Sequence, residues 1–434
     1  MDDQPGASEA GTVDSSRPRL HGWRDPQVVA LALLAMSAGF GQFGVVAALG
    51  DVAKTFGHIS SGTTLADEAG LSLTKIGAGL AIIRLASLGG LPVAGLADRF
   101  GRRRTLLLAC AIGLAITVAS AASPSYWWFV IVFALGRPML SATNALASVS
   151  AAEETGSSDR AKAIALIAAG YGIGTGLVAF IHGLAGGPLT FRGIVGLSVV
   201  PLVLLPLVGR RVEEPDRFAR LSVAAEHPLP VLDAVGPQFR RRLVIVSLIT
   251  FSLSVITGPA NSFVYLYAEN VVHVRGVVTS AMVAAAGVTG LGGLLLGRYL
   301  ADNLGRRPTA ALAMVGMALF GILTYSGSTA AILVGYVMEV LAASTIAPAA
   351  GAFVNELFPT SVRASVSGWQ VAVGVLGASA GLLAFGAIAE AGNGFGVAAA
   401  ATFLPALAGT FLLLLLPETR GRELEDLWPE AGRS

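Results

Sequence analysis

Twelve long apolar stretches run through this chain, each near the roughly 20 residues one helix needs to cross a hydrocarbon layer. They are Val28 to Leu49, Ile76 to Leu96, Thr105 to Ala122, Trp127 to Ser148, Ala163 to Ile181, Gly193 to Val208, Leu243 to Tyr267, Val278 to Leu300, Ala310 to Tyr325, Ala330 to Phe353, Val366 to Ile388 and Gly396 to Leu416. Only 13% of the 434 residues are charged, against about 25% in soluble domains, and the charges gather in short clusters between the stretches. Backbone in lipid must satisfy its own hydrogen bonds, which leaves helices or a closed barrel. Segments of alternating polarity are missing and aromatic residues are 7%, which disfavours a barrel. The expected fold is therefore an all-α membrane protein, and its 54 glycines suit closely packed helices. A net charge of +2 suggests no nucleic-acid partner, and the single cysteine, Cys110, excludes an internal disulfide or a cysteine metal cluster.

The spans divide six and six. Residues 1–24 read as a polar, disordered cytoplasmic tail, 25–209 as a first six-helix bundle, 210–242 as a linker rich in arginine and proline, 243–417 as a second bundle and 418–434 as a second tail. If the amino terminus is cytoplasmic, that side collects about 22 of the 29 basic residues. The other side has about four, Lys54, Lys75, Arg192 and Arg275, while Arg84, Arg137 and Arg298 lie within spans. Both termini are then inside a cytoplasmic membrane. Trp127, Trp128 and Trp428 fall where interfacial aromatics are expected.

The two halves repeat each other. Leu96-Ala97-Asp98 with Gly101-Arg102-Arg103 recurs 204 positions on as Leu300-Ala301-Asp302 with Gly305-Arg306-Arg307. Glu153 and Arg160-Ala161 recur at a shift of 203 as Glu356 and Arg363-Ala364, and Glu214 recurs at 204 as Glu418. Three charged motifs in one order at one offset indicate duplicated, pseudo-symmetric bundles.

Gly95-Leu96-Ala97-Asp98-Arg99-Phe100-Gly101-Arg102-Arg103 resembles the signature loop between helices two and three of the major facilitator superfamily of secondary transporters. Glu356-Leu357-Phe358-Pro359-Thr360-Ser361-Val362-Arg363-Ala364 and Pro417-Glu418-Thr419-Arg420-Gly421 resemble its sugar and metabolite porters. The resemblance covers nearly the whole chain. It implies two bundles rocking about a midplane site lined by helices one, four, seven and ten. Ala94 and Arg298 stand where the signature carries glycine. Helix seven reads Thr257-Gly258-Pro259-Ala260-Asn261-Ser262, and Gly351 follows Pro348 by three, both unlike sugar porters. The glycine-rich fifth helix, Gly170 to Gly176, lacks the Gly-Pro of drug antiporters.

The charges suggest the working parts. Where the two halves close against each other on the inside, Asp98, Arg102, Arg103, Glu153, Arg160 and Glu214, with Asp302, Arg306, Arg307, Glu356, Arg363 and Glu418, are expected to form an ion-pair network between them at a cytoplasmic gate. The alternative is that they only set topology. Charges inside the bilayer are costly and point to function. Arg84 lies about nine residues into its span, near ~14 Å deep, and shares a face with Ser87, Leu91, Gly95 and Asp98. Arg137 starts a polar stripe with Ser141, Asn144 and Ser148, and Glu339 is its near counterpart at a shift of 202. Glu339 is the candidate proton carrier, and Arg137 or Arg84 either pairs with it or holds an anionic solute. A solute that takes over the arginine would alter the affinity of Glu339 for its proton. The alternative for each is a fixed structural pair. Gln42, Tyr171, Asn261, Tyr265, Tyr336 and Gln370 could complete the cavity, or serve as helix-packing hydrogen bonds. His182, Glu269 and Glu390 fall at helix ends away from the arginine clusters, where contact with water is expected, and His58 and His273 lie in loops.

Metal-ligand spacing and phosphate-cradling loops are absent from the sequence, so neither cofactor nor enzymatic chemistry is expected, and a gradient must supply the energy. The reading is a transporter of a small organic solute, an anionic metabolite ahead of a sugar-like compound, by proton symport and alternating access, and functional as a monomer in the lipid bilayer. A proton-coupled drug or metabolite exporter is the alternative.

Overall fold

The computed structural model describes residues 22–57, 71–156, 159–185, 189–214 and 237–420. Most of the two expected tails and of the linker, along with His58 and Trp428, lie outside the described residues, and so does the side chain of Asp98. The membrane-crossing helices are α1 Pro26–Ala47, α2 Leu73–Gly95, α3 Arg102–Ser120, α4 Tyr126–Glu154, α5 Arg160–Ala185, α6 Phe191–Gly209, α7 Phe239–Val271, α8 Gly276–Asn303, α9 Arg306–Thr324, α10 Thr329–Gly351, α11 Ser365–Gly392 and α12 Gly394–Leu415. Strands are absent among the described residues.

Local chemistry sets the helix ends. Asp25 accepts a hydrogen bond from the Gln27 N–H and Pro26 occupies the first turn, so α1 starts there. Gly101 and Gly305 precede α3 and α9 at φ of 91° and 115°, a left-handed region open to glycine. Helix α4 continues unbroken to Glu154, and the helix of α10 continues to Leu357, so Glu153 and Glu356 sit in final turns and not in the loops beyond. A short helix, Leu49–Phe56, follows α1 and was not foreseen from the sequence. Helix α7 breaks at Phe263, just past Pro259, and ends in a π-helical turn over Tyr267–Val271.

Each half is built to one plan. Helix α1 packs on α5 as α7 does on α11, α2 on α4 as α8 on α10, and α3 on α4 as α9 on α10. Glycines bring backbones into contact, as between membrane helices generally. Gly170 and Gly174 face the carbonyls of Ala32 and Met36, and Gly377 and Gly381 face those of Phe251 and Val255.

The halves meet through α2 on α11 and α5 on α8. Gly77 of α2 and Gly386 of α11 abut, a Cβ on Gly77 falling 2.5 Å from the Leu382 carbonyl. Further along the same helices, beside the arginine clusters, a Cβ on Gly95 or Gly368 would meet nothing within 4 Å. The bundles thus close at the arginine-poor end and part toward the arginine-rich end.

Candidate functional site

At the arginine-rich end the two halves carry matching clusters. The Glu214 carboxylate accepts the backbone N–H groups of Arg102 and Arg103, and Glu418 accepts those of Arg306 and Arg307 at 2.9 and 3.0 Å. Arginines in the first turn of α3 and α9 oppose the positive helix terminus, and a carboxylate from the end of α6 or α12 offsets both. Burial works against the charge on Glu418, but N–H donors from Arg306, Arg307, Arg420 and Thr419 outweigh it and hold this carboxyl below its ordinary range. The Arg102 guanidinium pairs with Glu153. Arg306 pairs with Glu356 at 3.3 Å and Asp302 at 3.6 Å, and Arg298 lies 4.0 Å from Asp302. Arg103, Arg160, Arg307 and Arg363 donate to the carbonyls of Gly209, Ala152, Leu414 and Phe358. These pairs join helices within one half. At this end, where the halves stand apart, each bundle ties its own loop ends among the described residues, because Glu153 and Glu356 sit on helices that pack beside the arginines of the same half.

Between the halves lies a cavity of about 230 Å³, lined by residues of α1, α2, α4, α5, α7 and α11. Gln42, Arg84, Arg137, Tyr171 and Asn261 all line it, together with Thr257, Ser262 and apolar side chains such as Phe43 and Leu382. Arg137 donates to the Gln42 carbonyl at 3.1 Å, and its buried Nε has no partner among the described residues. The Tyr171 hydroxyl donates to Gln42 Oε1 at 3.3 Å. Among the described residues, neither Asp nor Glu lines the cavity.

Other expected members stand elsewhere. Glu339 is fully buried inside the second half, near Gly321 of α9 and Phe403 of α12, and neither carboxylate oxygen has a hydrogen-bond partner among the described residues. It is paired with neither Arg137 nor Arg84, and α10 does not line the cavity. Tyr336, one turn before Glu339, donates to Asn261 Oδ1 at 3.3 Å and so touches the lining indirectly. Asn144 keeps a buried, unpartnered Oδ1 outside the cavity lining. Gln370 lines a separate cavity of about 360 Å³ within the second half and donates to Ser247 Oγ at 3.2 Å. Tyr265 is buried against Phe43 and His182 at the junction of the halves.

At the closed end His182 and, in large part, Glu269 are buried, where the sequence suggested contact with water, while Glu390 stays exposed as expected. His182 of α5 is 3% exposed, with Nε2 3.1 Å from Asp51 Oδ2 and Nδ1 3.8 Å from Glu269 Oε1 of α7. Asn270 donates to the Gly50 carbonyl at 3.3 Å, Ser280 to that of Ala179 at 2.7 Å, and Glu390 accepts from Ser72 at 2.7 Å and from the Thr74 N–H at 2.8 Å. Apart from the His182–Asp51 contact, which lies within the first half, each of these contacts joins one half to the other. The signal available in the sequence was the placement of three carboxylates, Asp51, Glu269 and Glu390, on a side with few basic residues.

Twelve helices in two matched halves, with a polar cavity at their seam, define a membrane carrier. The family model described as Major Facilitator Superfamily matches residues 31–300, that described as Sugar (and other) transporter matches residues 227–430, and the chain belongs to the major facilitator superfamily. It is similar to a probable 4-methylmuconolactone transporter of Cupriavidus pinatubonensis (25% identity; 82% of this chain, 85% of the relative). It is 30% identical to the 3-(3-hydroxy-phenyl)propionate transporter of Escherichia coli (74% and 79%) and 24% identical to a gallate transporter of Pseudomonas putida (76% and 80%). Its fold matches the inward-open xylose transporter XylE of E. coli with a TM-score of 0.69 at 17% identity, over 93% of this chain and 98% of that one. The protein is a multi-pass membrane protein that transports small organic solutes, and not an enzyme.

Proposed function

We propose that the protein carries a small organic carboxylate, with an aromatic or unsaturated body, together with a proton. The observation that carries this reading is the pair of guanidinium groups, Arg84 and Arg137, lining a cavity that no carboxylate lines among the described residues. A cation near the bilayer centre costs at least about 2.5 to 3.5 kcal/mol on insertion scales, and a bound anion offsets that cost with charge-assisted, bidentate hydrogen bonds. Phe43, Leu80, Ile83 and Leu382 offer an apolar wall for the body of the solute, and Gln42, Tyr171 and Asn261 offer hydrogen bonds to ring substituents. Relatives named for 3-(3-hydroxy-phenyl)propionate and gallate, both aromatic carboxylates, support the same class.

Glu339 is the proposed proton carrier. Its carboxyl, unpartnered among the described residues, sits three residues beyond Tyr336, whose hydroxyl reaches Asn261 in the cavity wall, so a solute that engages Asn261 disturbs Tyr336, one turn from Glu339. The ion-pair clusters then keep each half rigid while the halves rock about the cavity. By the positive-inside rule the arginine-rich end faces the cytoplasm of a bacterial inner membrane, both termini included, so the cavity is reached here from the cytoplasmic side.

The test is counterflow and pH-gradient-driven uptake in proteoliposomes, with aromatic carboxylates, pentoses and cationic drugs as solutes. Carboxylate uptake that rises with an inward proton gradient, and a Glu339→Gln variant that exchanges solute but no longer accumulates it, are the expected results. Accumulation of sugars alone, or extrusion of cationic drugs with both arginines dispensable, would overturn the reading.

A further inference from the structure

The closed end contains a cluster of titratable groups that solute binding does not use. His182, from α5 of the first half, is buried at the seam, with Asp51 of the short helix on one ring nitrogen and Glu269 of α7, from the second half, on the other. Lys54, on the same short helix as Asp51, lies within electrostatic reach of both carboxylates and of the ring. The edge of Tyr265 meets the imidazole with ring centroids 5.9 Å apart. The Asn270 amide nitrogen donates to the Gly50 carbonyl and the Ser280 hydroxyl to that of Ala179, while Asn270 Oδ1 is buried without a hydrogen-bond partner among the described residues. His182 Nδ1 and Glu269 Oε1 are both buried and lack any hydrogen-bond partner among the described residues.

Donor arithmetic decides what this arrangement needs. An ionised carboxylate only accepts, a neutral imidazole has one N–H and one lone pair, and an imidazolium has two N–H groups. With a neutral ring and two ionised carboxylates, one carboxylate would face a lone pair at the buried seam, and repulsion would push the halves apart. One added proton, on the ring or on Glu269, removes the conflict, and the cluster then holds it as a unit. Opening this end draws Glu269 away from His182 and Asp51 and removes the reason to keep the proton.

We propose that the Asp51–His182–Glu269 cluster is a proton-binding site, in which closure of the arginine-poor end captures one proton and opening releases it. With the orientation proposed above, the proton is taken from outside the cell as the outer gate shuts and returned there as it opens, so the pH outside biases the closed state. This rests on the rocking of the halves but not on the identity of the solute, and it is distinct from Glu339, which lies within one half.

The experiment uses the full chain in lipid nanodiscs without solute. Spin labels are attached at Ser125→Cys, in the loop before α4, and Thr329→Cys, the first residue of α10, exposed positions on opposite halves at the arginine-poor end, with the native Cys110→Ala. Distances between them are read by double electron–electron resonance from pH 5 to pH 8. The expected result is a closed-to-open ratio that falls as pH rises, by at most about tenfold per pH unit because one proton is linked. Glu269→Gln removes one of the two carboxylates, so a neutral ring satisfies both neighbours and the end stays closed across the range. His182→Gln loses the pH response, and Glu339→Gln keeps it. A wild-type ratio that does not change with pH, a wild-type slope retained in Glu269→Gln and His182→Gln, or a slope abolished by Glu339→Gln would each overturn the proposal. Loss of carboxylate binding in the cavity would leave it standing, which separates its failure from that of the solute assignment.

Discussion

The seam at Gly77 and Gly386 makes the two-state behaviour of the halves testable by one methyl group. A Cβ on Gly77 would lie 2.5 Å from the Leu382 carbonyl, and one on Gly386 would lie 2.5 Å from that of Leu73. Restoring an ordinary contact requires α2 and α11 to separate by about 0.5 to 0.9 Å, and overpacking of this kind costs roughly 1 to 3 kcal/mol. The strain exists only while the arginine-poor end is shut, so Gly77→Ala should move the closed-to-open ratio toward open by about 5-fold to 150-fold. Double electron–electron resonance with labels at positions 125 and 329 reads that ratio directly. Gly170→Ala is the control, because its Cβ meets the Ala32 carbonyl inside one half, and it should lower thermal stability without moving the label distances. Identical distance distributions for wild type and Gly77→Ala, with the protein folded, would refute the reasoning that these helices form the closed gate.

Three further outcomes follow from the clusters. Glu418, held below the usual carboxylate range by its backbone donors, adds stability that is complete above the ordinary carboxylate pKa and is lost as pH falls through its lowered value. Glu418→Gln should therefore lower Tm at pH 7, in line with the roughly 1 kcal/mol of a lost helix cap, and flatten the acid-side decline, as a thermal melt series from pH 3 to pH 7 would register. Arg306→Ala and Glu356→Gln should be non-additive, with a coupling of about 0.5 to 3 kcal/mol, because their 3.3 Å pair is removed by either change; additive losses in denaturation would show the pair to be idle. Arg307→Ala, which loses only its bond to the Leu414 carbonyl, should cost less stability than Arg306→Ala in the same melts.

How much was legible in the sequence follows from what sets each feature. Span length is dictated by the bilayer and the repeat by duplicated charge motifs, so the helices, the halves and the matching of Glu214 with Glu418 could be read from residues alone. The depth of Arg84 and Arg137 was likewise a matter of counting, and both line the cavity. Azimuth was harder. A residue's direction around a helix depends on the neighbours that pack against it, and apolar membrane helices carry little amphipathic pattern to report it. Glu339 matched Arg137 in depth but turns into its own half, toward Gly321 and Phe403, and Gln370 turns into a second cavity. His182 and Glu269 looked wet because they end their helices. The short helix Leu49–Phe56 folds over that end, and its Asp51 completes a buried contact that no span-by-span reading could supply.

The account stands on two guanidinium groups, lining a cavity that no carboxylate lines among the described residues, selecting a carboxylate. Isothermal titration of the purified protein with 3-(3-hydroxyphenyl)propionate and with its neutral primary amide, repeated on Arg84→Gln and Arg137→Gln, tests that most directly. Saturable binding of the acid, no measurable heat from the amide, and a loss of at least about tenfold in affinity in each variant, equivalent to 1.4 kcal/mol, is the expected result. Equal binding of acid and amide, or wild-type affinity for the acid in both variants, would contradict it.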